Sequence, residues 1–175
     1  MKNSEQQEPI VNRVAQSTLI TLDLEKMFDT GPRTVLDIKD QLFQGMILKE
    51  KDFRDFLKKQ DWSVYQGHNV AILCSVDAIV PTWAYMLLAI HLAPYVNHLV
   101  FGDLKELDRS LFQKALSNMD LEEYQDAKVV IKGCGKLPIP ESAFVEVVRL
   151  LQGVAGSIMY GEPCSTVPLY KKPRQ

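Results

Sequence analysis

A short apolar strand runs directly into a helix in residues 98–112, which read HLVFGDLKELDRSLF. The strand-like run His98–Phe101 is followed by Gly102 and then by Asp103 and Glu106, which have the spacing of a capping box. Leucines then recur at helical intervals. The stretch therefore predicts a strand–turn–helix unit whose helix is capped by Asp103.

The same alternation of strand and helix extends over the whole second part of the chain. Apolar runs suited to buried strands cover Val70–Cys74, His98–Phe101, Lys128–Lys132 and Ser157–Tyr160. Helices are predicted to begin near Pro81, Asp103 and Pro140, and the last is expected to end at Gly153. This order predicts an α/β fold, a three-layer sandwich with a mainly parallel four-stranded core sheet. The flavodoxin-like strand order 2-1-3-4 is expected.

The N-terminal part of the chain predicts a smaller appendage. Leu19–Glu25 alternates apolar and polar residues, and Thr34–Ile38 is expected to return beside it as the second strand of a β-hairpin. Glu50–Gln60 has the pattern of an amphipathic helix. We therefore expect a single α/β domain. Its predicted parts are a disordered N-terminus at 1–9 and a domain at 10–175, with the hairpin and helix in 10–66 and the parallel-sheet core in 67–175.

Composition is that of an ordinary globular protein. Hydrophobic residues make up 46% and charged residues 24% of the 175 residues, which excludes extensive disorder. Twenty basic and 22 acidic residues leave a net charge of −2 without a basic cluster, so we expect no nucleic acid partner. Residues 1–9 lack an apolar signal region, which predicts a cytoplasmic protein. Residues 78–102 carry no charge, but prolines divide them, so no membrane partner is expected.

Three cysteines follow predicted strands. Cys74 ends or follows the first core strand, Cys134 follows the third between two glycines, and Cys164 follows the fourth. Because ligands bind outside the carboxyl ends of parallel strands, these thiols share one edge if their strands are neighbours. Thiolates select zinc, copper(I) or iron–sulfur centres, and three of them leave a coordination position for Asp77 or Glu162. The pattern is also compatible with cysteines that serve as small buried hydrophobes.

The remaining chemistry-bearing residues predict structural roles. The sequence contains no Gly-rich phosphate loop, dinucleotide fingerprint or serine-nucleophile elbow. His68, His91 and His98 are scattered over different predicted elements, so we expect structural roles for them rather than ligation.

Three longer motifs stand out from the rest of the chain. They are LKEKDFR at 48–54, CSVDAIVPTWAYM at 74–86 and GEPCSTVP at 161–168. Together they resemble a bacterial family named domain of unknown function 2480, and the similarity covers nearly the whole chain from about Ile10. The resemblance implies cysteines in the settings of the three present here, and a gene context of sulfur mobilisation for iron–sulfur cluster assembly. It implies no established activity.

The leading hypothesis is a cytoplasmic protein of unknown function that binds a metal. In it, Cys74, Cys134 and Cys164 ligate an iron–sulfur cluster or zinc, with Asp77 as a further ligand. The resemblance adds a role accessory to iron–sulfur cluster assembly. Expected partners are iron–sulfur assembly proteins and a second copy of the chain in a homodimer.

Two alternatives remain open. One is a thiol enzyme, such as a persulfide carrier or sulfurtransferase, with Cys134 as nucleophile in an electropositive setting supplied by Lys132 and Lys136. The other is a non-enzymatic interaction module with buried cysteines. It would dock a partner or a second subunit through the N-terminal hairpin or the tail at Pro168–Tyr170.

Overall fold

The computed structural model describes residues 19–133, 135–162 and 165–173. In this part, the chain forms four α-helices and seven β-strands, so the α/β class is confirmed. The strands are β1 (Leu19–Asp23), β2 (Arg33–Asp37), β3 (Asn69–Leu73), β4 (His98–Phe101), β5 (Lys128–Lys132), β6 (Ser157–Glu162) and β7 (Ser165–Lys171). The helices are α1 (Glu50–Lys59), α2 (Thr82–Leu92), α3 (Leu104–Ser117) and α4 (Glu141–Gln152).

The described strands form two sheets rather than one. The first sheet has the order β1-β5-β6-β7 and the second has the order β2-β3-β4. Neighbours are parallel except β6 and β7, which run antiparallel, so the four-stranded sheet is mixed. The prediction of one mainly parallel core sheet in the order 2-1-3-4 is therefore wrong. Of the four strands predicted for that sheet, β3 and β4 lie in the second sheet, and β5 and β6 lie in the first.

The two N-terminal strands do not pair with each other. β1 pairs in parallel with β5, with Leu19 opposite Lys128, and β2 pairs in parallel with β3, with Arg33 opposite Asn69. The predicted hairpin is therefore wrong, although both strands and α1 lie where they were expected. The physical reason is that each strand completes the parallel sheet of a different hydrophobic core.

Each sheet has its own core, and α3 contributes to that of the first sheet and to a third, smaller cluster on the second sheet. Phe112 and Leu116 of α3 are buried among the side chains of the first sheet and α4. Leu107 and Leu111 are buried against Ala71 of β3 in the second sheet. Burying each such large apolar side chain stabilises the fold by roughly 1.5–3 kcal/mol. The helix with the clearest sequence pattern is therefore the one that packs on both sheets.

The helix ends follow the predicted caps. The Asp103 carboxylate accepts a hydrogen bond from the Glu106 backbone N–H at 2.9 Å, which confirms it as the N-cap of α3. Pro81 and Pro140 precede α2 and α4, and Gly153 follows α4. None of the helices in the described residues is both long and apolar enough to cross a bilayer.

Strand β7 is an element that the sequence pattern did not predict. It contains Pro168, which lies opposite Met159 next to a register shift in the β6–β7 ladder. A residue without a backbone N–H is tolerated at the edge of a sheet, which is where β7 lies. The Pro168–Tyr170 segment, which the interaction-module alternative treats as a docking tail, is therefore part of the first sheet.

Candidate functional site

The carboxyl ends of the parallel strands form two separate edges, one for each sheet. The first edge lies where β1, β5 and β6 end, at Asp23, Lys132 and Glu162. The second lies where β2, β3 and β4 end. Loops and helix N-termini that follow parallel strands gather at such edges, so both are candidate sites.

The predicted site residues divide between these two edges. Cys74 and Asp77 follow β3 and belong to the second edge. Cys134 and Cys164 lie outside the described residues; in the sequence they come two positions after the ends of β5 and β6. Those two strands are neighbours, as expected, whereas β3 is paired with β2 and β4. The condition for a common edge is therefore met by the strands before Cys134 and Cys164 and is not met by the strand before Cys74.

A charged network occupies the first edge. The Lys132 ammonium lies 3.5 Å from Asp23 Oδ2 and 3.9 Å from Glu162 Oε1, so it links the ends of β1, β5 and β6. The Asp23 side chain is only 16% exposed, and its other oxygen accepts a hydrogen bond from the Glu25 N–H at 3.1 Å. Lys132 is therefore held by two carboxylates rather than free to serve a neighbouring group.

The loop after β5 approaches Glu25 closely. The Glu25 carboxylate accepts a hydrogen bond from the Leu137 N–H at 3.5 Å. A Cβ added at Gly135 would collide with the same carboxylate. A Cβ at Gly133 would lie only 3.0–3.2 Å from three apolar side chains, those of Ile139, Phe144 and Leu24. Close packing therefore favours glycine at position 133, whereas at position 135 the neighbour is only the end of the flexible Glu25 side chain.

The second edge holds Cys74 beside polar groups. Its thiol is half-buried and lies 3.5 Å from the Val76 carbonyl oxygen, to which it donates. The side chain also packs on the core of the second sheet. Asp77 is exposed in the bend that follows. The interpretation of Cys74 as a partly buried small hydrophobe therefore fits its surroundings as well as a ligand role does.

Asp37 and Tyr85 complete the second edge. Burial acts to raise the pKa of the Asp37 carboxyl, but hydrogen bonds from Ser75 and Lys39 outweigh it and hold this pKa below its ordinary value. Burial raises the pKa of the Tyr85 phenol, and the nearby Asp37 carboxylate raises it further. This edge therefore presents a carboxylate, a thiol and a protonated phenol.

The aspartates at the two edges were missed as site residues. Both end a strand in a similar local pattern, Leu-Asp-Leu-Glu at 22–25 and Leu-Asp-Ile-Lys at 36–39. In each case the aspartate accepts a hydrogen bond from the N–H two residues on and caps a 3₁₀ turn. The repeated pattern is the signal that could have identified them.

Each of the three histidines makes a local contact, and their structural roles stay a prediction. His68 Nδ1 lies 2.7 Å from the Thr34 hydroxyl, and His98 Nε2 lies 2.7 Å from the Ser110 hydroxyl. The His91 ring stacks on Trp62 with ring centroids 5.4 Å apart. Each ring is thus occupied in a local contact.

No metal-ligating group forms within the described ranges. Among residues 19–133, 135–162 and 165–173, no three His, Cys, Asp or Glu side chains are grouped so that they could hold a metal ion. Cys134 and Cys164 are outside those ranges, so the finding concerns Cys74, Asp77 and the carboxylates of the two edges.

Fold and edges together define a mixed α/β protein that presents thiol and carboxylate chemistry at the ends of parallel strands. Residues 8–172 of the 175 match the family model "Protein of unknown function (DUF2480)", and the chain belongs to that family. The resemblance carried by the three sequence motifs is thereby confirmed. Comparisons with curated proteins and with solved structures give no match.

Proposed function

We propose that this protein binds a metal, as an iron–sulfur cluster or as zinc, through thiolates at the carboxyl ends of its strands. Cys134 and Cys164 form the central pair of the proposed ligand set. Cys74 and Asp77 are its further members, and the experiment below measures the contribution of each. On the basis of the family resemblance, we also propose that the protein is cytoplasmic and accessory to iron–sulfur cluster assembly.

The observation that carries the proposal is the pairing of β5 with β6. The two strands are parallel and in register from Lys128 opposite Ser157 to Ile131 opposite Tyr160. Neighbouring strands lie about 4.8 Å apart, so two chain segments leave this edge side by side. Each segment reaches a cysteine two positions later. Two thiolates that start from adjacent strand ends need only short loops to reach one ion.

The first edge presents carboxylates beside the proposed thiolates. Asp23, Glu25 and Glu162 are acidic, and Lys26, Lys132 and Lys136 are the basic residues that end or follow the same strands. The ammonium of Lys132 is paired with Asp23 and Glu162. Carboxylates are also suitable ligands where thiolates leave a coordination position open.

The same charges weaken the case for the thiol-enzyme alternative. A nucleophilic cysteine at neutral pH needs an electropositive setting. Lys132 was expected to provide it, but its ammonium is within 4 Å of both Asp23 and Glu162. We therefore propose metal binding in preference to thiol catalysis.

Metal content per chain tests the proposal. The full chain is purified without oxygen, and iron, zinc and acid-labile sulfide are measured for the wild type and for Cys74→Ser, Cys134→Ser, Cys164→Ser and Asp77→Asn. We expect Cys134→Ser and Cys164→Ser to lose most of the metal. Loss in Cys74→Ser or Asp77→Asn adds that residue to the ligand set, and retention removes it.

Glu123→Gln is the matched control, because Glu123 is an exposed carboxylate outside both edges. Circular dichroism spectra identify any variant that fails to fold. Metal-free wild type, or full occupancy in folded Cys134→Ser and Cys164→Ser, would overturn the proposal. Metal-free protein with rapid alkylation of Cys134 would instead support the thiol enzyme, and slow labelling of all three thiols the interaction module.

A further inference from the structure

Helix α2 is apolar around its whole circumference, and most of it is covered by the second sheet, α1 and the turn at Trp62–Tyr65, but one stripe is not. Ala84, Leu88 and Leu92 are fully buried against the second sheet. On another face, Met86 and Ile90 form an i, i+4 stripe and are 61% and 67% exposed. A helix that is apolar all round is normally buried on all sides. The outer stripe of α2 therefore lacks the cover that its composition calls for.

An apolar groove continues from this stripe onto strand β4. The groove has a volume of about 510 Å³ and lies between α2 and the outer edge of the second sheet. It is lined on the helix side by Tyr85, Met86 and Ala89, and on the strand side by Leu99 and Phe101 among others. Phe101 is 64% exposed, and its ring packs edge-on against Tyr85 with centroids 4.8 Å apart. Stripe and groove together form one surface, here called the α2–β4 face.

Strand β4 has neither a charged side chain nor a proline to protect it against pairing with another strand, although it has only four residues. It ends the order β2-β3-β4, and the edge strand of a sheet presents unpaired backbone groups. Proteins usually blunt such edges with charged side chains or proline within the strand. The segment 78–102, which contains both α2 and β4, has no Asp, Glu, Lys or Arg, and the strand His98–Phe101 has no proline.

We propose that the α2–β4 face binds a second copy of this chain in a two-fold symmetric dimer. In such an interface the same surface meets itself, so it must be self-complementary. The α2–β4 face has both the protruding side chains and the groove that this requires. The helix α2 and the strand β4 that form it carry no Asp, Glu, Lys or Arg. The β4 strands of the two copies then lie antiparallel on either side of that axis, which runs perpendicular to them, and join the two three-stranded sheets.

The apolar area is sufficient for a stable dimer. Met86, Ile90 and Phe101 are each nearly two-thirds exposed, and with about 200 Å² for a large side chain they offer roughly 400 Å² per copy. Two copies therefore bury roughly 800 Å² of apolar surface. Since apolar atoms make up about 65% of a homodimer interface, the total is roughly 1,200 Å², the lower limit for a stable specific complex.

Sedimentation equilibrium of the full chain tests this interface. Concentrations from about 1 µM to 100 µM bracket the association expected of an interface near that lower limit. We expect a mass twice that of the 19.9 kDa chain at the upper end. Ile90→Glu and Phe101→Glu are expected to weaken association at least about 100-fold, because each places two carboxylates in the apolar interface. Val145→Glu on α4 is the matched control, since Val145 is 71% exposed and lies outside the face.

Hydrogen exchange provides a second measurement that needs no variant. Amides of β4 are expected to exchange more slowly in the wild type as its concentration rises, whereas those of β7, the edge strand of the other sheet, are not. A monomer at every concentration would overturn the proposal. So would a dimer that survives both charged variants, or one that Val145→Glu dissociates equally well. Metal content does not enter either readout, so this proposal and the metal proposal fail independently.

Discussion

Replacement of Lys132 by Met distinguishes metal binding from thiol catalysis, because the two functions predict opposite effects. Lys132 is 33% exposed and lies between Asp23 and Glu162 at the first edge. If the edge binds a cation, removal of this positive charge tightens binding. If Cys134 is a nucleophile, the same change removes a cation that favours the Cys134 thiolate. Alkylation of Cys134 should then become slower.

The size of the effect follows from Coulomb's law. At about 8 Å, a unit charge and a divalent ion interact by about 1 kcal/mol in a water-like dielectric without salt, and screening over one Debye length reduces this to about 0.4 kcal/mol. This corresponds to an affinity about twofold higher for Zn²⁺ in Lys132→Met. The two ion pairs lost are partly exposed and contribute at most about 1 kcal/mol each, so we expect the variant to fold.

The assay is competition for Zn²⁺ between the protein and a chromophoric chelator. Lys172→Met is the matched control, because Lys172 forms a 2.7 Å ion pair with Asp126 beside the amino end of β6. We expect tighter binding in Lys132→Met and no change in Lys172→Met. Weaker or unchanged Zn²⁺ binding in Lys132→Met, together with slower alkylation of Cys134, would refute the reasoning and support the thiol enzyme.

Three further predictions concern stability. Asp103→Ala removes the N-cap of α3 and should lower the free energy of unfolding in urea by about 1 kcal/mol, whereas Asp103→Asn should retain most of the wild-type stability. An alanine variant as stable as the wild type would contradict the capping role. Leu88→Ala should lower the free energy of unfolding by about 2–5 kcal/mol because Leu88 is fully buried. Val145→Ala, at an exposed site, should lower it by less than about 0.5 kcal/mol, and similar losses in the two variants would contradict the described core. Burial acts to raise the pKa of the Asp37 carboxyl, but hydrogen bonds lower this pKa more. The ionised carboxylate therefore stabilises the folded state above the pKa that Asp37 has in the unfolded chain. This stabilisation is lost as the pH falls through the lower pKa of the folded state. Between about pH 5 and pH 3, the free energy of unfolding in urea should therefore fall less for Asp37→Asn than for the wild type. An identical fall in the two proteins would contradict the lowered pKa of Asp37.

Local features of the fold were predictable from residue patterns. Strands β4 and β5 have the predicted bounds, and α3 begins after its predicted cap. The error lay in which strands pair. Asp29 and Gly31 form a turn after β1, but Asp29 Oδ1 accepts hydrogen bonds from both the Gly31 N–H and the Asn69 side chain. The turn therefore directs the next strand onto β3 rather than back onto β1.

The sequence by itself determined the helices, most strands, the caps and the positions of Cys134 and Cys164 after strands β5 and β6. These properties depend on periodicity and on hydrogen bonds between residues a few positions apart, so they can be predicted from local patterns. The tertiary structure alone decided that the strands sort into two sheets, which separates the strand before Cys74 from the other two. It also brought Glu25 to the backbone of Leu137, 112 positions away, because strand pairing is decided by distant partners that share a core.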